Sequence, residues 1–135
     1  MRNRLAAGTS IAILFAALAV SAAGITALDR VPPKARLRPN PLEGNPAAVA
    51  AGAKLFEQHC AVCHAPGAKN RLRGPALDSI QVRDAPPGAL FWVITNGVVR
   101  RGMPPWSKLP EPQRWQIVTF LTGGEMPPPA PRPAP

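Results

Sequence analysis

The feature that most constrains this chain is the close grouping of Cys60, Cys63 and His64. Two thiols three residues apart can both reach one edge of a flat macrocycle, and the histidine that follows directly is then held over its centre. Cys-x-x-Cys-His is the attachment pattern of a c-type haem, in which the histidine binds the iron. The sequence therefore predicts one covalent haem c, held by the two cysteines and by His64.

Two other uses of paired cysteines fit the sequence less well. A structural zinc site usually has four ligands. The candidate ligands here are only His59, Cys60, Cys63 and His64, and they are crowded together in the sequence. A redox dithiol of the thioredoxin kind is expected beside a βαβ pattern, which the sequence lacks. Neither alternative accounts for the methionine that follows Gly102.

That methionine is the predicted second ligand of the iron. Met103 is in a loop expected at residues 98–109, and Pro104 and Pro105 follow it directly. Prolines restrict the backbone, so they would hold the thioether sulfur in place. A His64/Met103 pair raises the reduction potential of a haem relative to other axial pairs.

Two further residues are expected to contribute to the site. The backbone carbonyl of Pro75 is predicted to accept a hydrogen bond from the second ring nitrogen of His64, because such contacts fix the orientation of a metal ligand. Trp106 lies close to Met103 in the sequence. It is expected to pack on the haem edge, to donate its indole N–H to a propionate, or to join the core of the domain.

The N-terminus has the composition of an export signal. Arg2 and Arg4 precede residues 5–28, which carry no charge. This length favours an uncleaved signal-anchor at 1–28 that leaves the N-terminus in the cytoplasm. The small residues up to Ala23 would also form a cleavage site, so a signal peptide cleaved there is the alternative. In both cases the rest of the chain is expected on the periplasmic side of the cytoplasmic membrane.

Composition divides the rest of the chain, residues 29–135, into three segments. Residues 29–45 are rich in proline and are predicted to form a stiff, solvated linker without contacts. Residues 46–124 are predicted to form one small domain. Residues 125–135 contain six prolines and are predicted to be disordered.

Three helices are predicted within 46–124, at 46–58, 88–96 and 111–121. The first has Val49, Gly52, Ala53 and Phe56 on one face, at helical spacing. A glycine inside a helix costs about 1 kcal/mol relative to alanine. A close crossing by another helix would account for Gly52, with Phe120 of the last helix as one expected contact.

In these positions the chain resembles the class I monohaem cytochrome c family, over about residues 46–124. The residues that carry the resemblance keep the order and spacing of the family's motifs: Gly52, Phe56, Cys60, Cys63, His64, Gly74, Pro75, Leu77, residues 94–98, Gly102, Met103, Pro104, Trp106, Ile117 and Phe120. The resemblance implies an all-α cytochrome c fold of about three to four helices around one covalent haem, here preceded by the N-terminal apolar helix. It also implies that the first and last helices cross near Gly52.

The resemblance implies one-electron transfer between redox proteins by a six-coordinate His/Met haem c, without enzymatic turnover. One alternative is a subunit through which electrons enter a larger membrane or periplasmic oxidoreductase complex. A second is a haem enzyme with an open sixth position, although no second histidine is placed as a distal base.

The expected partners follow from charge and from the predicted site. The formal charge of +9 favours redox partners with acidic docking surfaces, and the N-terminal helix predicts a membrane contact. Nucleic acid is not expected as a partner, because the basic residues are scattered. No small-molecule substrate is expected, because both axial positions would be filled.

Overall fold

The computed structural model describes residues 26–64, 74–75 and 77–124 of the chain. Within them lie six α-helices: α1 (Pro33–Arg36), α2 (Pro46–His59), α3 (Ala61–His64), α4 (Ile80–Arg83), α5 (Pro87–Asn96) and α6 (Glu111–Gly123). Two 3-10 turns, at Leu28–Arg30 and Val99–Arg101, complete the helical elements of this part of the chain. The predicted all-α fold is therefore confirmed. The three predicted helices are α2, α5 and α6, and the others are single turns.

Side-chain capping and prolines set where the long helices begin. The Asn45 side chain accepts hydrogen bonds from the amides of Ala47 (2.9 Å) and Ala48 (3.2 Å), which would otherwise lack partners in the first turn of α2. All three long helices have a proline in their first two positions. A proline is tolerated there because the missing N–H has no acceptor inside the helix.

The first and last long helices cross closely, as predicted from Gly52. A Cβ atom at Gly52 would overlap the backbone carbonyl of Gln116 and would lie 2.8 Å from the Cβ of Phe120. The rings of Phe56 and Phe120 lie 5.4 Å apart beside this contact. Only glycine lets the two backbones approach this closely, and this explains its presence inside α2.

Helix α6 is the centre of the core. Phe56, Trp115, Ile117 and Val118 have the largest fully buried side chains. The ring of Phe91 from α5 stacks on Trp115 at 4.1 Å with an interplanar angle of 19°. The core thus joins α2, α5 and α6 before any cofactor is considered.

The predicted solvated linker at 29–45 is wrong, because its first part packs on the domain. We call residues 28–40 the N-terminal strap. Val31 is 3% exposed, and Asn40 donates from its amide to the hydroxyl of Thr119 at 2.9 Å, with both residues buried. A Cβ atom at Gly88 would overlap the carbonyl oxygen of Ala35, so the strap lies directly on α5.

Arg38 attaches the strap to α5 and α6 as well. Its guanidinium lies 4.6 Å from the centroid of the Phe91 ring and 5.2 Å from that of Trp115. It also forms an ion pair with Glu111 at the start of α6. The proline-rich segment therefore follows the surface of the domain and is not a spacer that extends away from it.

Two predicted segments lie outside the described residues. They are nearly all of the N-terminal segment 1–28 and the tail 125–135. Within residues 26–64, 74–75 and 77–124, no helix has both the length and the apolar character needed to cross a membrane.

Candidate functional site

Cys60 lies at the junction of α2 and α3, and the single turn of α3 carries Cys63 and His64. The amide of Cys60 donates to the carbonyl of Phe56 at 2.8 Å, and the amide of His64 donates to the carbonyl of Cys60 at 2.9 Å. Both cysteines are free thiols and half-buried. The two cysteines and His64 are therefore held close together by backbone hydrogen bonds, and both sulfurs are available for covalent attachment.

The surroundings of Cys60 favour an uncharged sulfur. Burial raises the pKa of the Cys60 thiol to about 11, and the neighbouring Cys63 adds to this shift. The thiol therefore stays protonated at neutral pH. A thioether bond to a vinyl group would also leave the sulfur uncharged, so attachment to a haem is compatible with this degree of burial.

The His64 ring is fixed by the backbone at residues 74–75. Its Nδ1 lies 2.8 Å from the carbonyl oxygen of Pro75, the contact predicted from the sequence. A carbonyl oxygen only accepts, so Nδ1 carries the proton and Nε2 keeps its lone pair for a metal ion. A Cβ atom at Gly74 would lie 2.5 Å from Cε1 of this ring. Glycine is thus needed to let the backbone lie against the imidazole.

Met103 is at one end of a small closed turn. The amide of Val98 donates to the carbonyl of Met103 at 3.0 Å, and the amide of Met103 donates back to Val98 at 3.3 Å. Gly97 and Gly102 flank this pair with φ values of 68° and 86°, in the left-handed region that favours glycine. The backbone of the predicted ligand is therefore held by hydrogen bonds, in addition to the prolines that follow it.

Trp106 joins this loop to the cysteine-bearing turn. Its amide donates to the carbonyl of Ile94 at 3.0 Å, and its ring lies 5.1 Å from the imidazole of His59, directly before Cys60. Trp106 also packs against the core, which is one of the three roles expected for it. The structure thus brings the Met103 loop and the cysteine-bearing turn together through the Trp106–His59 contact.

Arg114 is a part of the site that the sequence did not reveal. Its Nε donates to the carbonyl of Leu109 at 3.1 Å, and its Nη1 donates to the hydroxyl of Thr95. Its guanidinium also lies 4.8 Å from the centroid of the Phe91 ring. Thr95 precedes the loop and Leu109 is near its end, so one side chain from α6 fixes both ends. In the sequence, Arg114 is only one basic residue among many.

The residues present fit a covalent haem c. They provide two free cysteines close together in the chain, an imidazole nitrogen with a free lone pair and a fixed orientation, and a thioether on a separate, closed loop. In the described part of the chain, no three His, Cys, Asp or Glu residues are grouped so that they could hold a metal ion on their own. Sulfur and imidazole donors of this kind are those that hold a covalent haem c in proteins.

Comparison with known protein families agrees with this geometry. The family described as Cytochrome C oxidase, cbb3-type, subunit III matches residues 47–121, which is more than half of the chain. The matched residues run from the first turn of α2 into the last turns of α6 and include Cys60, Cys63, His64 and Met103. No curated protein matches the chain. The chain therefore belongs to this cytochrome c family, whose domain binds haem c and serves in electron transfer.

Proposed function

We propose that this protein carries single electrons through one haem c with His64 and Met103 as axial ligands, on the periplasmic side of the cytoplasmic membrane. The observation that carries this proposal is the 2.8 Å contact between His64 Nδ1 and the Pro75 carbonyl, which leaves Nε2 for the iron. When bound, the haem supplies an iron that changes its charge by one electron. The protein's part is to hold the ligands still.

His64 is well suited to be a ligand that does not move between oxidation states. The Pro75 carbonyl fixes the tautomer, and the contact with Gly74 restricts rotation of the ring. A hydrogen bond from Nδ1 also makes Nε2 a better electron donor. Little reorganisation on gain or loss of an electron is what an electron carrier requires.

Met103 is the proposed sixth ligand because its loop is closed independently of the haem. The paired hydrogen bonds to Val98 fix its backbone, and Arg114 fixes Thr95 and Leu109 on either side. With both axial positions filled, no position remains for a small-molecule substrate. The proposal of a carrier rather than a haem enzyme therefore depends on this ligand.

Substitution of Met103 tests whether this residue is the sixth ligand of the haem iron. The unmodified ferric protein should show the weak near-infrared band of sulfur–iron bonding, and its ferrous form should not bind carbon monoxide. Met103→Ala should lose the band and bind carbon monoxide readily. The control is Met126→Ala, which removes a thioether after α6 and should leave both properties unchanged. Ready binding of carbon monoxide by the unmodified protein would instead support a haem enzyme with an open position.

The second candidate function is that of a subunit through which electrons enter a larger oxidoreductase complex. The name of the matched family refers to a subunit of an oxidase, and the proposed anchor at residues 5–28 suits a tethered role. Affinity isolation from detergent-solubilised membranes distinguishes the two. Stable recovery of further oxidoreductase subunits would favour the complex, and recovery of the cytochrome alone would favour the free carrier.

Charge beside the site supports acidic redox partners. Arg100 and Arg101 precede Met103 closely, and both are exposed. Residues 46–124 contain nine Lys and Arg against four Asp and Glu. Complementary charge mainly raises association rates, and salt screens it. Oxidation by anionic hexacyanoferrate should therefore slow as salt rises, and Arg100→Glu should weaken this dependence. Lys54→Glu on α2 is the matched control.

A further inference from the structure

We propose that the face of the domain built by the N-terminal strap rests on the headgroups of an anionic lipid bilayer and gives the haem domain a fixed orientation on the membrane. This inference depends on the proposed uncleaved anchor at residues 5–28. The sequence alone predicted a stiff, solvated linker without contacts at residues 29–45.

No free linker separates the proposed anchor from the domain. The uncharged stretch ends at Leu28, and Leu28 already packs against the core of the domain. Val31, three residues later, is almost completely buried. The reach of a flexible linker grows with the square root of its length, so a linker of no length gives the domain almost no freedom. The face that carries Leu28 must therefore lie next to the point where the chain leaves the bilayer.

Hydrogen bonds within the strap, and polar contacts between the strap and α6, fix its position on the domain. The Arg36 side chain donates to the carbonyl of Val31 at 3.2 Å and also to that of Leu28, which ties α1 to the first 3-10 turn. Arg38 and Asn40 then attach the end of the strap to α6, through Glu111 and Thr119 respectively. The orientation of the strap on the membrane is thus the orientation of the whole domain.

The exposed side chains of the strap suit an anionic headgroup layer. Leu37 is 82% exposed, and Arg30 and Lys34 are exposed as well. Leu37 and Lys34 both line an open, mainly apolar depression on this face, together with Pro32. Basic residues close to a bilayer are attracted to anionic lipids, and an exposed leucine can enter the interface between headgroups and acyl chains.

The acidic residue of the strap does not oppose this arrangement strongly. The Asp29 carboxylate accepts hydrogen bonds from the amide (2.6 Å) and hydroxyl (2.8 Å) of Thr26. These bonds and the nearby charge of Arg36 lower the pKa of Asp29. Its charge is thus partly compensated by neighbouring residues, whereas Arg30 and Lys34 are in exposed positions.

The test uses the full-length, haem-loaded protein in nanodiscs of phosphatidylglycerol or of phosphatidylcholine alone. In the haem-loaded protein the native cysteines are thioethers, so a single introduced thiol can be followed. Leu37→Cys and Ile80→Cys are compared for their rate of alkylation by a charged maleimide, since Ile80 is also exposed (61%) but lies outside the strap. In phosphatidylglycerol we expect the thiol at position 37 to react at least about tenfold more slowly than the thiol at position 80.

Charge reversal separates lipid contact from simple burial. Arg30→Glu with Lys34→Glu, added to Leu37→Cys, should bring the rate at position 37 close to that at position 80. Lys54→Glu with Arg83→Glu makes the same change in net charge at exposed positions elsewhere and should leave the protection intact. Protection should also be weaker in phosphatidylcholine, which has no net charge.

Three results would contradict the proposed lipid contact, and each points to a different cause. A mature chain that lacks residues 1–23 by mass, or that does not enter nanodiscs, would overturn both the proposed anchor and this inference. An intact, inserted chain whose thiol at position 37 reacts as fast as that at position 80 would overturn the inference alone. Protection in native membranes but not in phosphatidylglycerol nanodiscs would mean that a protein partner covers the face, and would also overturn the lipid contact.

Discussion

Two regions of the domain are built in different ways. One is the α2–α6 crossing, and the other, which we call the ligand side, contains the two cysteines, His64 and Met103. At the crossing, the large side chains of Phe56, Trp115, Ile117 and Val118 are fully buried by other protein atoms. On the ligand side, the two cysteines, His64 and Met103 are all half-exposed, although their backbones are well fixed. The crossing is thus complete as protein, whereas the ligand side presents surfaces that a haem would cover.

The two regions also depend on different interactions. The crossing depends on close packing around Gly52, which tolerates no added atom. The ligand side depends on individual hydrogen bonds, such as His64 to Pro75 and Val98 to Met103. Substitutions at the crossing should therefore appear mainly as lost stability. Those on the ligand side should appear mainly in the spectrum and in ligand binding.

The largest expected effect comes from removing the covalent haem, because a domain this small has a thin protein core. Cys60→Ala with Cys63→Ala should give little folded protein, which corresponds to loss of the whole stability of about 5–15 kcal/mol that is usual for a domain. Circular dichroism during heating is the measurement. The control is Val62→Ala, an exposed position between the cysteines. Cooperative melting of the double variant would show that the crossing suffices for folding.

The second effect tests the crossing directly. Gly52→Ala should destabilise the protein by about 3 kcal/mol, because the added Cβ forces apart two backbones that are in contact. Gly123→Ala is the control, since a Cβ atom there would meet nothing within 4 Å. Denaturant unfolding of both variants measures the difference, while the near-infrared band of Gly52→Ala should persist below its transition. Equal stability of the two variants would contradict the view of the crossing as tightly packed.

The third effect concerns the attachment of the strap, which resembles the crossing in using buried side chains and the ligand side in depending on a hydrogen bond. Thr119→Val should cost about 2 kcal/mol, because it leaves the buried Asn40 amide without its acceptor. Thr122→Val is the control, since the Thr122 hydroxyl bonds only to the backbone of its own helix. Denaturant unfolding is again the measurement. If the two variants were equally stable, the strap would not be part of the cooperative domain.

Most of the fold and of the site could be predicted from the sequence, because both depend on residue types with few structural uses. A glycine inside a helix predicted the close crossing, and Cys-x-x-Cys-His predicted the attachment turn. The contact between His64 and the Pro75 carbonyl was predicted because a ligating imidazole needs an acceptor for its second nitrogen.

The strap and Arg114 were not predictable in the same way. Asn40 and Arg38 are ordinary polar residues among prolines, and nothing in their spacing shows that Thr119 and Glu111 lie opposite them. Arg114 bonds to a backbone carbonyl 5 residues before it and to a hydroxyl 19 residues before it, on a different helix. Such contacts depend on how elements pack together, which neither propensity nor periodicity contains.

The smallest expected effect on stability lies where the two regions meet. Arg114 belongs to α6, the helix of the crossing, but it fixes the ends of the Met103 loop through Leu109 and Thr95. Arg114→Gln shortens the side chain and removes its charge, and should cost only about 1 kcal/mol of global stability because the core below is unchanged. The looser loop should nevertheless weaken the near-infrared band and let carbon monoxide bind slowly to the ferrous protein. Arg83→Gln, at an exposed position of α4, is the matched control and should change neither property.

A second variant, Arg114→Lys, keeps the charge but lacks the planar group. If it behaves like Arg114→Gln, the effect is due to hydrogen-bond geometry and not to charge. A band of full intensity in both Arg114 variants would mean that the Val98–Met103 pair and the prolines hold the methionine unaided, and that the ligand side is as self-contained as the crossing.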